Sequence, residues 1–159
     1  MKNVTKLLTK SMLLIAVSIL MFAKVGWAID NYVQIGTGTS IVTGHPFYAY
    51  YADNRDQIIY LASEMSPTLM AGPLTKISFN YYGGYGAGFA LTNFNIRMKN
   101  TTLSVSPMTG AFDEGGWTTV YSSASAAWPG SGWQIIILQT PFNWDGTSNL
   151  EIEVCHDNA

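Results

Sequence analysis

The chain has 159 residues, with 8 Lys and Arg against 10 Asp and Glu, and a single cysteine, Cys155. One cysteine excludes an intrachain disulfide, so the fold must stand on its hydrophobic core. Four of the cations (Lys2, Lys6, Lys10 and Lys24) precede Ala28 and every carboxylate follows it; what remains is acidic, with no basic stripe for a phosphate backbone, and nucleic acid is not expected as a partner.

The opening residues read as an export signal. Lys2, Lys6 and Lys10 make a positive region, Ser11 to Ala23 an uncharged apolar core, and Gly26-Trp27-Ala28 a small-x-small cleavage site. Lys24 stops the apolar run short of the roughly 20 residues a membrane span needs. An uncleaved anchor is the competing reading. Cleavage after Ala28 is the expected one. It leaves a single domain over 29–159, secreted or at the cell surface, with no membrane span.

Short strands separated by turn residues follow. Tyr32 to Ile35 predicts a first strand, and Asp53 to Leu61 a second. Ala62 to Ser66 forms one helical turn before Pro67, and Leu69 to Pro73 a connector. Lys76 to Tyr81 alternates, with Ile77, Phe79 and Tyr81 on one face. Phe94, Ile96 and Met98 do the same against Asn93, Asn95, Arg97 and Lys99, and Trp117 to Tyr121 follows the Asp113-Glu114-Gly115-Gly116 turn.

Residues 132–155 read as a central hairpin. Gln134 to Thr140 is almost continuously apolar or β-branched, as in a strand buried on both faces, with Pro141 stopping it and Asp145-Gly146 turning the chain. Leu150, Ile152 and Val154 then point inward, while Asn149, Glu151, Glu153 and Cys155 take an outer, solvated face. The fold class expected is an all-β antiparallel sandwich, jelly-roll-like, since one sheet of this many strands needs a second to cover it. The chain stops at 155–159, directly after a strand, so a domain incomplete at its C-terminus is expected.

Several segments, taken together, carry a resemblance. They are Ile35-Gly36-Thr37-Gly38-Thr39, Pro46-Phe47, the run Asp53 to Met65 with Arg55, Gln57, Tyr60, Ala62 and Glu64, then Ala71-Gly72, Gly116 to Tyr121, Pro141-Phe142-x-Trp144-Asp145-Gly146-x-x-Asn149-Leu150, and Glu153 to Asn158. The set resembles a β-sandwich module that recurs in large secreted and cell-surface bacterial proteins, often beside fibronectin type III repeats and a C-terminal sorting domain. His156 stands where that module's last motif has an aromatic residue. The resemblance implies an extracellular, non-catalytic module and brings no active site with it.

Candidate sites each have a structural counterpart. The histidines are His45, in a loop before Pro46, and His156, near the chain end; neither sits in a pattern that suggests a nucleophile's base. Glu151 and Glu153 share one face of a strand at about 7 Å, a separation inverting glycosidases use, but alternation alone also produces it. Asp53, Arg55 and Glu64 suit an ion pair or loop support better than catalysis. Asp145, Thr147 and Asn149, joined by Asp113 or Asp157, offer oxygen ligands for a structural Ca²⁺, or form a plain loop of favoured turn residues; no other cofactor is expected. Cys155 reads as a small strand side chain or as one half of an interchain pair.

Ligand binding is best placed on two glycine-rich aromatic stretches, 81–89 and 128–133. Tyr82, Tyr85, Phe89, Trp128 and Trp133 offer flat apolar faces there for a sugar ring or a protein patch. The alternative is that these rings fold back as plugs for the ends of the sandwich. Two functions follow: a non-catalytic module for adhesion, glycan or protein binding, or a spacer; and, alternatively, a carboxylate-dependent glycoside hydrolase.

Overall fold

The computed structural model describes residues 31–37, 45–50, 52–82, 90–104, 111–127 and 130–157. The predicted export signal and Tyr85, Phe89 and Trp128 lie outside them. The described chain is an all-β antiparallel sandwich: β1 (Asp53–Tyr60), the helical turn α1 (Ala62–Met65), β2 (Gly72–Tyr81), β3 (Leu91–Thr101), β4 (Thr118–Ala126), β5 (Gly132–Trp144) and β6 (Asn149–Asp157). Sheet A has the order β1-β6-β3-β4, and sheet B pairs β2 with β5.

The core follows from period-two alternation. Phe94, Ile96 and Met98 of β3, with Leu150, Ile152 and Val154 of β6, meet Phe79 and Tyr81 of β2 and Leu138, Phe142 and Trp144 of β5. Phe47 packs between the layers, edge-on to Phe79 at 5.7 Å and to Tyr81 at 5.6 Å between ring centroids. α1 is fastened at its start: Glu64 Oε2 accepts from the Leu61 amide at 2.8 Å, and Asn149 Oδ1 from the Ala62 amide at 2.8 Å.

Four sequence expectations need correction. Residues 132–155 do not form a hairpin, because β5 pairs with β2 and β6 lies between β1 and β3 in the other sheet; the Asp145-Gly146 turn carries the chain across the sandwich. Its glycine is required, since Gly146 has φ +81° and a Cβ there would lie 2.9 Å from Ala71 Cβ.

Pro141 does not stop β5. It lies where the register slips, Leu74 facing Phe142 while Lys76 faces Ile137, so its missing N–H interrupts no ladder pair. Nor is β5 buried on both faces, because Ile135 and Ile137 are exposed on the outside of sheet B. Tyr32 to Ile35 makes no strand; Val33 and Ile35 pack against the core from an extended segment instead.

Candidate functional site

The outer face of sheet A is a row of charges rather than a solvated surface. Register places Arg55 and Gln57 of β1, Glu151, Glu153 and Cys155 of β6, and Arg97 and Lys99 of β3 side by side on it. The segment 111–117 lies over them, and both Glu151 and Glu153 are 0% exposed, which overturns their expected solvent-facing position.

Glu153 is held from three sides. Its Oε2 accepts from Arg55 Nε at 2.7 Å and Gln57 Nε2 at 2.9 Å, and its Oε1 accepts from Arg97 Nε at 2.7 Å and from Arg97 Nη2. Arg55 then forks onto Glu114 at 2.8 and 3.0 Å, and this carboxylate above all raises the guanidinium pKa. Lys99 pairs with Asp113, lies 3.3 Å from Glu151, and donates to the Gly115 carbonyl at 3.1 Å.

Aromatic rings close the layer from above. Lys99 Nζ is 4.5 Å from the Trp117 ring centre, and Arg55 Cζ is 4.4 Å from that of Phe112. Gln57 fixes the covering backbone with two bonds to Asp113, 2.7 Å to its carbonyl and 2.9 Å from its amide.

These surroundings displace the titrations. Burial pushes the Glu151 carboxyl above its ordinary range, with Lys99 opposing. Lys99 holds Asp113 low and Arg55 holds Glu114 low. Burial also raises the Cys155 thiol. The two glutamates therefore differ: Glu153 has four donor contacts, while Glu151 oxygens accept no hydrogen bond. Neither lines either of the two cavities described below.

The other predicted residues are dispersed. Arg55 pairs with Glu114 and Glu153, not with Asp53 or Glu64. His156, near the chain end in sequence, is buried in β6 with Nε2 3.0 Å from the Tyr48 carbonyl, and His45 Nδ1 lies 2.7 Å from Asp56 Oδ1. Asp145 Oδ1 accepts from the Thr147 and Ser148 amides at 2.8 and 2.7 Å, and the Ser148 side chain first, with these two amides, holds its pKa down to about 2. Asn149 turns away from that loop, bonded to Ala62 and, through Nδ2, to the Leu103 carbonyl at 2.8 Å. The structure thus joins Asp145 to Thr147 and sends Asn149 elsewhere.

Of the predicted binding aromatics, the described ones are accessible. Tyr82 is 75% exposed and Trp133 51%. Trp133 continues along β5 into Ile135 and Ile137, 69% and 67% exposed, with Asn80, Ser78 and Lys76 of β2 opposite them in register.

Two concavities accompany these faces. An open depression of about 500 Å³ lies by Arg55, Asn95, Phe112 and Cys155. A cleft of about 370 Å³ lies between the edges of β4 and β5, lined by Phe94, Tyr121, Ser123, Ser125, Gln134 and Ile136 among others. Beside it, Gln139 bridges the edges, donating to the Ser122 carbonyl at 2.9 Å and accepting from its amide at 3.0 Å.

Sequence reasoning missed the buried charge row and the cleft. A signal for the first was present: Arg97-x-Lys99 and Glu151-x-Glu153 are complementary alternating pairs, and antiparallel strands carrying them gain by pairing. Comparisons of the chain with protein-family models, with curated proteins and with solved structures find no match.

Proposed function

We propose that this chain is a non-catalytic binding module of an exported or cell-surface protein, and that its contact face is the outside of sheet B. The observation that carries this reading is the row Trp133, Ile135 and Ile137. Single exposed isoleucines need no explanation, but three large apolar side chains at alternating positions of one strand form a stripe of the kind that marks interaction surfaces. Two of the three are aliphatic. The stripe therefore suits a protein partner bearing its own apolar patch better than a sugar, which stacks on flat aromatic faces.

The charge row supports the non-catalytic side of this reading. A general acid and base must reach a substrate, whereas Glu153 is engaged by two arginines and Gln57 beneath residues 111–117. Export is supported by the N-terminal pattern, and the modular setting by the resemblance of the motifs from Ile35 to Asn158. Among the described residues no helix is long and apolar enough to cross a membrane.

Surface plasmon resonance against immobilised fibronectin, fibrinogen and collagen tests the reading. The wild type should be retained on at least one of them, and W133A/I135S/I137S should lose that retention at an unchanged melting midpoint. Equal retention by the variant refutes the assignment of the face. Hydrolysis of p-nitrophenyl glycosides that disappears in Glu151→Gln would establish the glycosidase reading instead.

A further inference from the structure

We propose that the cleft between β4 and β5 binds an uncharged sugar, a free hexose or the terminal unit of a neutral glycan. This goes beyond the protein-binding face and rests on Ser123, Ser125 and Gln134, none of which belongs to that face, although Ile135 borders both. A strand that served only to complete the core would place apolar side chains at its inward positions, as β3 does with Phe94, Ile96 and Met98. β4 instead carries Ser123 and Ser125 into the cleft after Tyr121. Small hydroxyl side chains keep the space open, and theirs make no hydrogen bond among the described residues.

Across the gap, Gln134 points inward from β5 between the outward Trp133 and Ile135. Its Nε2 donates to the Gly130 and Gly132 carbonyls at 2.6 and 3.2 Å, which orients the amide and leaves Oε1 as an acceptor. The walls are apolar: Phe94 meets Tyr121 edge-on with ring centroids 5.8 Å apart, and Ile136 lies opposite.

Chemistry then selects the ligand. No charged side chain lines the cleft among the described residues, so neither an anion nor a cation finds a counter-charge there. Two hydroxyls and an amide oxygen, set among aromatic and aliphatic walls, complement a molecule with alternating hydroxyl groups and C–H faces. A volume of about 370 Å³ falls at the small end of ligand pockets, enough for one or two rings.

Saturation-transfer NMR on the purified protein tests the assignment. The probes are D-glucose, D-galactose, D-mannose and N-acetyl-D-glucosamine, with D-glucuronate and D-glucosamine as charged counterparts. At least one neutral sugar should show saturable transfer, and its charged counterpart should bind more weakly. S123A/S125A keeps the space but removes both hydroxyls, and should weaken binding about tenfold, as expected for one or two lost hydrogen bonds. Ser123→Val, which fills the cleft, should abolish it, while W133A/I137S, which leaves the cleft lining untouched, should bind the sugar normally.

The proposal is overturned if no neutral sugar shows transfer, or if the charged counterparts bind equally well. It is overturned equally if the folded S123A/S125A variant retains wild-type affinity.

Discussion

Arg97 and Glu153 face each other in register across β3 and β6, and the arginine presents both Nε and Nη2 to one carboxylate oxygen that no solvent reaches. Arg55 and Gln57 take the other oxygen, so the glutamate stands at the centre of a three-strand junction. Two residues along the same strand, Glu151 is equally buried but accepts no hydrogen bond.

This asymmetry sets the first prediction. Glu153→Gln turns an acceptor-only group into one with two donors facing two arginines, and should cost about 3–5 kcal/mol in urea unfolding. Glu151→Gln removes a desolvated charge while Lys99 keeps Asp113 and the Gly115 carbonyl, and should stay within about 1 kcal/mol of the wild type at pH 7. A raised folded-state pKa means that Glu151 supports folding below its ordinary value near 4.5 and loses that contribution as pH rises, so the glutamine variant should gain on the wild type above that pH. Equal losses for both variants would contradict the pairing described.

Acid unfolding should report the opposite kind of group. The Asp145 pKa is held down to about 2 by the Ser148 and Thr147 donors, so its contribution is complete above the ordinary value of 3.8 and disappears as pH falls through 2. Asp145→Asn preserves the acceptor oxygen without the charge. Its melting midpoint should therefore fall less steeply than that of the wild type between pH 4 and pH 2, measured by circular dichroism.

Gly146→Ala should destabilise the protein by about 1–3 kcal/mol, because φ +81° disfavours a side chain. The new Cβ also meets Ala71 Cβ at 2.9 Å. Ala71→Gly in the same molecule should restore part of the loss and not all of it, since the backbone strain remains. Full restoration would assign the whole effect to the contact.

Ile152→Ala and Ile135→Ala test the two sides of the sandwich. The first removes a buried side chain between the sheets and should cost about 2–5 kcal/mol; the second changes an exposed one and should stay within about 0.5 kcal/mol. Similar losses would mean that the exposed stripe is covered in solution.

The inward faces of β3 and β6 were legible because alternation of Phe94, Ile96 and Met98, and of Leu150, Ile152 and Val154, is a local property of the chain. Pairing is not local. Nothing within 132–155 shows that β5 belongs with β2, 60 residues upstream, so an arch across the sandwich reads as a hairpin. Glu151 and Glu153 look solvated for the same reason: the residues that cover them, Asp113 to Trp117, and the cations that neutralise them, Arg55, Arg97 and Lys99, come from distant segments. Exposure at Tyr82 and Trp133 is one of the two arrangements the aromatic stretches allow, folding back as plugs being the other, and the run of apolar positions behind Trp133 was assigned to the core because Ile135 to Leu138 cannot be sorted into faces by composition alone.

The bridge from Gln139 to Ser122 has a consequence for the protein's behaviour at high concentration. β4 is one of the two edge strands of sheet A, and a bare edge strand is a template on which another polypeptide can pair and polymerise. By occupying both the N–H and the C=O of Ser122, the Gln139 amide takes the place of the next strand at this one position of β4. The side chain thus blocks pairing at the middle of this edge. Removing it, as in Gln139→Val, would free the Ser122 N–H and C=O and place a β-branched apolar residue beside them, so the variant should self-associate more readily than the wild type as concentration rises.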